Sequence, residues 1–145
     1  LLASGSADNL AKIWDVGTQK ESKQLKGHEL GVTGVLFTDN NTLVTVSQDR
    51  TIRTWDVGAA KETKKSSPTS DDLFGLSATK DNKTIATIGY AGNVRVFDLA
   101  KPDPIFTTQI KSPGYTVAIS GDGKWVVSGH DNGTLYLHPV TPAKK

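Results

Sequence analysis

LVTVSQDRTIRTWDV, from Leu43 to Val57, is an apolar run, a short polar turn and a second run in which apolar and polar residues alternate. Alternation with a period of two marks a β-strand, and Ser-Gln-Asp-Arg between the runs supplies turn-forming residues. The arrangement recurs as LLASGSADNLAKIWDV (Leu1 to Val16), IATIGYAGNVRVFDL (Ile85 to Leu99) and VVSGHDNGTLYLHPV (Val126 to Val140). Register follows from one residue near each end, namely Trp14, Trp55, Phe97 and His138, at near-equal intervals of about 41 residues, which is the mark of an internal repeat. A second landmark runs in phase with the first. The turns TDNNT (Thr38 to Thr42), TKDNKT (Thr79 to Thr84) and SGDGKW (Ser120 to Trp125) place Asp39, Asp81 and Asp122 at the same period.

Between these landmarks Val32, Val35 and Phe37 form a further alternating strand, and helical periodicity is nowhere sustained. Strands of about six residues joined by Asp, Asn and Gly turns every 8 to 12 residues describe an antiparallel meander. Such a meander cannot bury both faces by itself, so the units must stack on one another. The bulk composition agrees. The 145 residues are 36% hydrophobic and 22% charged, which excludes a disordered polyelectrolyte, and no apolar run is long enough to span a membrane as a helix. Without cysteine there is no disulfide, thiolate metal site or cysteine nucleophile. The compartment is left open, the cytoplasm being the preferred reading.

The repeat resembles the WD-repeat family over nearly the whole chain. That family's signature is Gly-His, some two dozen residues, then Trp-Asp, with a period of about 40 to 45 residues and four strands per propeller blade. Gly27-His28 with Trp55-Asp56 matches in full, Trp14-Asp15 matches at its C-terminal end, Phe97-Asp98 is a conservative variant, and His138-Pro139 has lost both marks. The resemblance implies an all-β, WD-repeat β-propeller of about 3.5 four-stranded antiparallel blades, part of a ring of about seven. Residues 1–140 form the partial propeller, with units ending near 16, 57, 99 and 140, and 141–145 read as a tail or linker. The chain reads as starting at the second strand of a blade and stopping after the third strand of its fourth unit. The remainder of the ring would come from the same protein or from another copy, a segment of a longer protein being preferred.

His28, Ser47, Asp49 and Trp55 include the residue types of a Ser/His/Asp hydrolase. The resemblance implies a structural tetrad instead, in which aspartate, imidazole, serine hydroxyl and indole N–H satisfy one another between blades. The set recurs in part as Ser6, Asp8 and Trp14, whereas an active site has no reason to repeat, and no G-x-S-x-G elbow is present. The later units depart from the pattern. Ser70 falls where a histidine is expected, Gly89 and Ala91 replace the Ser and Asp, and His130 and Asn132 occupy those places in the last unit, so these blades are expected to lack the network. No catalytic residue is assigned.

His28, His130 and His138 have no metal-ligand spacing, the Asp/Asn turns lack the spaced acids of a calcium loop, and no glycine-rich stretch has nucleotide-binding spacing. No metal or cofactor is expected. The net charge of +2 is too small for a nucleic-acid footprint. Lys61, Lys64, Lys65, Arg50, Arg53 and Arg95 therefore read as solvated strand and loop charges, and nucleic acid is not expected as a partner.

In WD-repeat proteins partners dock on the face formed by the turn between second and third strands and the loop leading into the first. Carried over by position, the residues before the tetrad acid are Ala7, Gln48, Tyr90 and Asp131, and the loops contribute Leu30, Leu73 or Phe74, and Tyr115. Tyr90, Phe74, Tyr115, Leu30, Gln48 and Asp131 are the candidate partner-binding residues, since exposed aromatics on such a face resemble interface anchors. The expected function is a non-catalytic scaffold for a protein or peptide. The alternative is the propeller portion of a larger enzyme or receptor whose chemistry lies elsewhere.

Overall fold

In a computed structural model describing residues 1–141, fourteen strands and no helix account for the regular structure. The expected tail beyond Thr141, with Lys144 and Lys145, lies outside the described residues. The chain divides into two compact units, Leu1–Ser70 and a second beginning at Asp71.

In the first unit β1 (Leu2–Gly5), β2 (Leu10–Asp15) and β3 (Lys20–Lys26) form one antiparallel sheet in that order. A second sheet has the order β4 (Val32–Phe37), β5 (Thr42–Ser47), β6 (Ile52–Asp56) and β7 (Lys61–Lys65). Strand β4 lies against β1 and β2. A Cβ on Gly5 would stand 2.6 Å from the Val32 carbonyl oxygen, so only glycine permits that approach. The apolar face so formed buries Ala11, Ile13, Leu25, Val32, Leu43, Trp55 and Val57.

The second unit repeats the plan. Strands β8 (Leu73–Ala78), β9 (Thr84–Gly89), β10 (Asn93–Asp98) and β11 (Pro104–Gln109) form one sheet, and β12 (Gly114–Ile119), β13 (Trp125–His130) and β14 (Leu135–Pro139) another. Here β12 lies against β8 and β9. Ile88, Val94, Val96, Val117, Ile119 and Val126 are at its core.

Two local devices recur in register. The β1–β2, β5–β6, β9–β10 and β13–β14 turns carry a left-handed residue at Asn9, Arg50, Gly92 and Gly133, with φ of 70, 67, 79 and 75°. Those four positions recur at the period of the aromatic landmarks. Gly92 is obligatory there, because a Cβ would stand 1.9 Å from the Ile110 carbonyl oxygen. Each described first strand also carries a bulge near its start, so that Thr33, Phe74 and Tyr115 have no partner in the ladder. A bulge re-aims its side chain, and this one places an aromatic residue in each sheet of the second unit.

Candidate partner-binding site

Histidine, aspartate and tryptophan of the expected tetrad meet in the second sheet, but the hydroxyl is that of Thr45, not Ser47. The indole N–H of Trp55 donates to Thr45 Oγ1 at 2.9 Å, and Thr45 Oγ1 stands 2.7 Å from His28 Nε2. His28 Nδ1 lies 2.8 Å from Asp49 Oδ2. Since a carboxylate only accepts, Nδ1 carries the proton and Nε2 accepts from the threonine, so both ring nitrogens of His28, the Thr45 hydroxyl and the Trp55 N–H all have partners. Ser47 instead donates to the Leu30 carbonyl and accepts from the Asp49 N–H, holding the turn.

The same correction applies one repeat earlier. Trp14 donates to Ser4 Oγ at 2.9 Å, not to Ser6, which accepts from the Asp8 N–H. Asp8 accepts from the Leu10 N–H in an exposed turn. The hydroxyl position is ten residues before the aromatic, at Ser4, Thr45, Thr87 and Ser128. It repeats in step with the aromatics themselves, and that signal identifies it. Ser6 and Ser47 lie two residues further on.

Burial raises the Asp49 carboxyl, but hydrogen bonds from Thr51, His28 and the Glu29 N–H outweigh it and hold the group well below the ordinary carboxylate range. For His28 burial dominates over the attraction of Asp49, and its pKa lies below the ordinary 6.5. With the folded-state value depressed, the unfolded chain takes up the proton first. The stability contributed by neutral His28 is therefore whole above pH 6.5 and is lost as the pH falls through the folded-state value. His138, lowered mainly by burial, adds in the same direction. Urea unfolding is expected to show lower stability at pH 5 than at pH 7, with a shallower pH slope in His28→Gln; an unchanged slope would remove His28 as the source.

The third repeat lacks that network, as expected, and carries another one in its place. Asp71, next to Ser70, accepts from Arg95 Nη1 at 2.8 Å, Asn93 Nδ2 at 3.0 Å and the Ala91 N–H at 3.2 Å. Gly89 makes room, since a Cβ there would stand 2.1 Å from Asp71 Oδ2. In the fourth unit Ser128 pairs with His130 Nε2 at 2.8 Å, and His130 Nδ1 meets the Ser112 carbonyl at 3.0 Å. The solvated reading of two arginines also fails. Arg53 and Arg95 are both buried, Arg53 paired with Glu62 at 2.6 Å and Asp49 at 3.5 Å, Arg95 with Asp71.

The candidate partner residues divide between the two units. In the second, Phe74, Tyr90 and Tyr115 are in mutual ring contact. The centroids of Phe74 and Tyr90 are 5.8 Å apart, those of Phe74 and Tyr115 5.9 Å, and those of Tyr90 and Tyr115 6.4 Å. Phe74 and Tyr115 come from the two first-strand bulges, and Tyr90 from the β9–β10 turn, fixed by its N–H to the Asp72 carbonyl. Leu73 is fully buried and Phe74 is half-buried, which decides between these two. Tyr90 is 51% exposed and Tyr115 47%. Asp131, in the β13–β14 turn, is exposed and donates its N–H to the Pro113 carbonyl. Its charge, after desolvation, raises the Tyr115 phenol pKa.

Leu30 and Gln48 belong to the first unit. Leu30 is 50% exposed, and the N–H of half-buried Gln48 donates to the carbonyl of Gly31. The residue in the place of Phe74 and Tyr115 there is Thr33, so Leu30 has no counterpart in the aromatic cluster. Among the described residues no group of three His, Asp or Glu side chains is arranged to hold a metal ion. No helix among them is long and apolar enough to cross a membrane.

The family model described as "WD domain, G-beta repeat" matches residues 1–15, 19–56 and 110–138. It leaves out 57–109, the stretch in which Asp71, Gly89 and Phe97 replace the usual network. The chain is also 30% identical over 101 residues to "Cilia- and flagella-associated protein 337 B" of Tetrahymena thermophila. The alignment covers 69% of this chain and 8% of that protein, so the chain spans a small part of the length of this relative.

Proposed function

Since the chain belongs to the WD-repeat family, whose repeats generally mediate protein–protein interaction, we propose that it is a non-catalytic docking module holding a peptide or protein segment on the aromatic face of its second unit. The observation that carries this reading is the contact of three aromatic rings on two bulges and a turn, two of them about half exposed. Burying those rings in the core would satisfy them as apolar groups. Their placement at strand ends leaves them to water, which favours coverage by a partner. The backbone under them is held by hydrogen bonds from Tyr90 to Asp72 and from Asp131 to Pro113, so little ordering is required on binding.

Cross-linking mass spectrometry on the intact protein would supply a partner for measurement. The double variant Tyr90→Ala/Tyr115→Ala is expected to weaken that complex by about 10- to 30-fold, the scale of interface anchor residues. Its far-UV circular dichroism should be unchanged, because neither side chain is in the core. Unaltered affinity for the identified partner would remove this face from the docking reading.

A second reading is favoured by one observation, the small share of the Tetrahymena relative that the chain covers. In this reading the module is one portion of a long protein whose other portions supply further activity. The name of that relative supports a location at a cilium or flagellum.

A further inference from the structure

The chemistry of the aromatic face selects among docking partners. Phe74, Tyr90 and Tyr115 meet at steep interplanar angles of 43, 86 and 75°, so their faces point in different directions. An aromatic face is electron-rich, and a lysine ammonium or an arginine guanidinium held over one is attracted by the ring quadrupole. The surrounding charge has the same preference. Beside the rings stands the Asp131 carboxylate, whose negative charge, after desolvation, raises the Tyr115 phenol pKa. Asp131 is exposed, and its backbone is tied to Pro113, two residues before Tyr115. A carboxylate so placed cannot favour an acidic or purely apolar occupant, because its charge would be desolvated without compensation.

We infer that the Phe74–Tyr90–Tyr115 cluster, with Asp131 at its rim, receives a cationic side chain, foremost an arginine, of a basic peptide segment. This rests on the docking reading above and names the partner's chemistry. Arginine suits the place better than lysine, because its planar guanidinium stacks on a ring while its edge donates to a carboxylate. The repeat also confines the site to one unit. The equivalent bulge and turn positions in the second repeat are Thr33 and Gln48, which offer neither an aromatic face nor a charge.

The test uses the full chain and three seven-residue peptides that alternate glycine with arginine, with citrulline or with leucine. Binding is followed by titration calorimetry and by the aromatic proton signals of Phe74, Tyr90 and Tyr115. Citrulline keeps the shape and most hydrogen bonds of arginine and removes its charge. The arginine peptide is expected to shift all three ring signals and to bind at least about 3-fold more tightly than the citrulline peptide. Asp131→Asn should reduce the arginine peptide's affinity and leave that of the citrulline peptide unchanged. Equal binding of arginine and citrulline peptides, or tightest binding of the leucine peptide, would overturn the cation inference and leave the docking face standing. If none of the three moves the ring signals, the docking face itself is overturned.

Discussion

Asp71→Ala is expected to lower the stability of the second unit by about 3 to 5 kcal/mol, the cost of removing one member of a buried ion pair. The other member is the Arg95 guanidinium, whose side chain is 9% exposed and whose Nη1 lies 2.8 Å from Asp71 Oδ1. Asn93 Nδ2 and the Ala91 N–H lose the same acceptor, so the substitution orphans donors on strand β10 and in the β9–β10 turn together. Replacing both charges tests whether the loss comes from the lost ion pair or from removed bulk. Asp71→Leu/Arg95→Met is expected to lie within about 1.5 kcal/mol of the parent, as buried ion pairs often do when exchanged for apolar groups of similar volume. Urea unfolding measures both variants, and amide hydrogen exchange on β9 and β10 locates the change. A loss below about 1 kcal/mol for Asp71→Ala would mean that water reaches Arg95 and that the pair is not a buried one.

Repeat length, strand alternation and turn chemistry are local properties, and all were legible along the chain. The even spacing of Trp14, Trp55, Phe97 and His138 anticipates four sheets, and the described residues form four. The aromatic patch was legible for a similar reason, because Tyr90 and Tyr115 stand at turn and strand-start positions that recur in phase. What escaped is set by side-chain reach across a sheet. Thr45 and Ser47 share one face of β5, two residues apart, and alternation alone does not say which of them meets Trp55. Leu43, not Thr45, is the direct ladder partner of Trp55, so the indole reaches diagonally to the threonine. The substitution at Asp71 escaped because it moves the acid from the turn to the loop and recruits Arg95 from β10, exchanging three positions at once. Gly89 stands where the repeat predicts a serine, and its missing side chain is what admits the Asp71 carboxylate.

Thr45 and Thr87 occupy the same position of successive repeats, yet valine is expected to have opposite effects at the two. At Thr45 the hydroxyl accepts from the Trp55 N–H and lies 2.7 Å from His28 Nε2, in surroundings from which water is excluded. Thr45→Val removes one hydroxyl and strands two buried polar groups, each at a cost of about 1 to 3 kcal/mol, for a total of about 2 to 4 kcal/mol after relaxation. At Thr87 the aromatic ten residues on is Phe97, which has no N–H, and Asp71 stands in the loop that supplies His28 one repeat earlier. The Thr87 hydroxyl is consequently buried with no hydrogen-bond partner. Thr87→Val exchanges that hydroxyl for a methyl of nearly the same volume and is expected to stabilise by about 1 kcal/mol, because no partner is lost and the desolvation cost disappears. The two variants share backbone setting, strand position and chemistry of substitution, so β-propensity cancels between them and the difference isolates the network. Equilibrium urea unfolding of both, under one set of conditions, reads that difference directly. Destabilisation of similar size at both positions would mean that the Thr87 hydroxyl has a partner of its own, and that the third repeat keeps a link of the network that Phe97 and Asp71 otherwise replace.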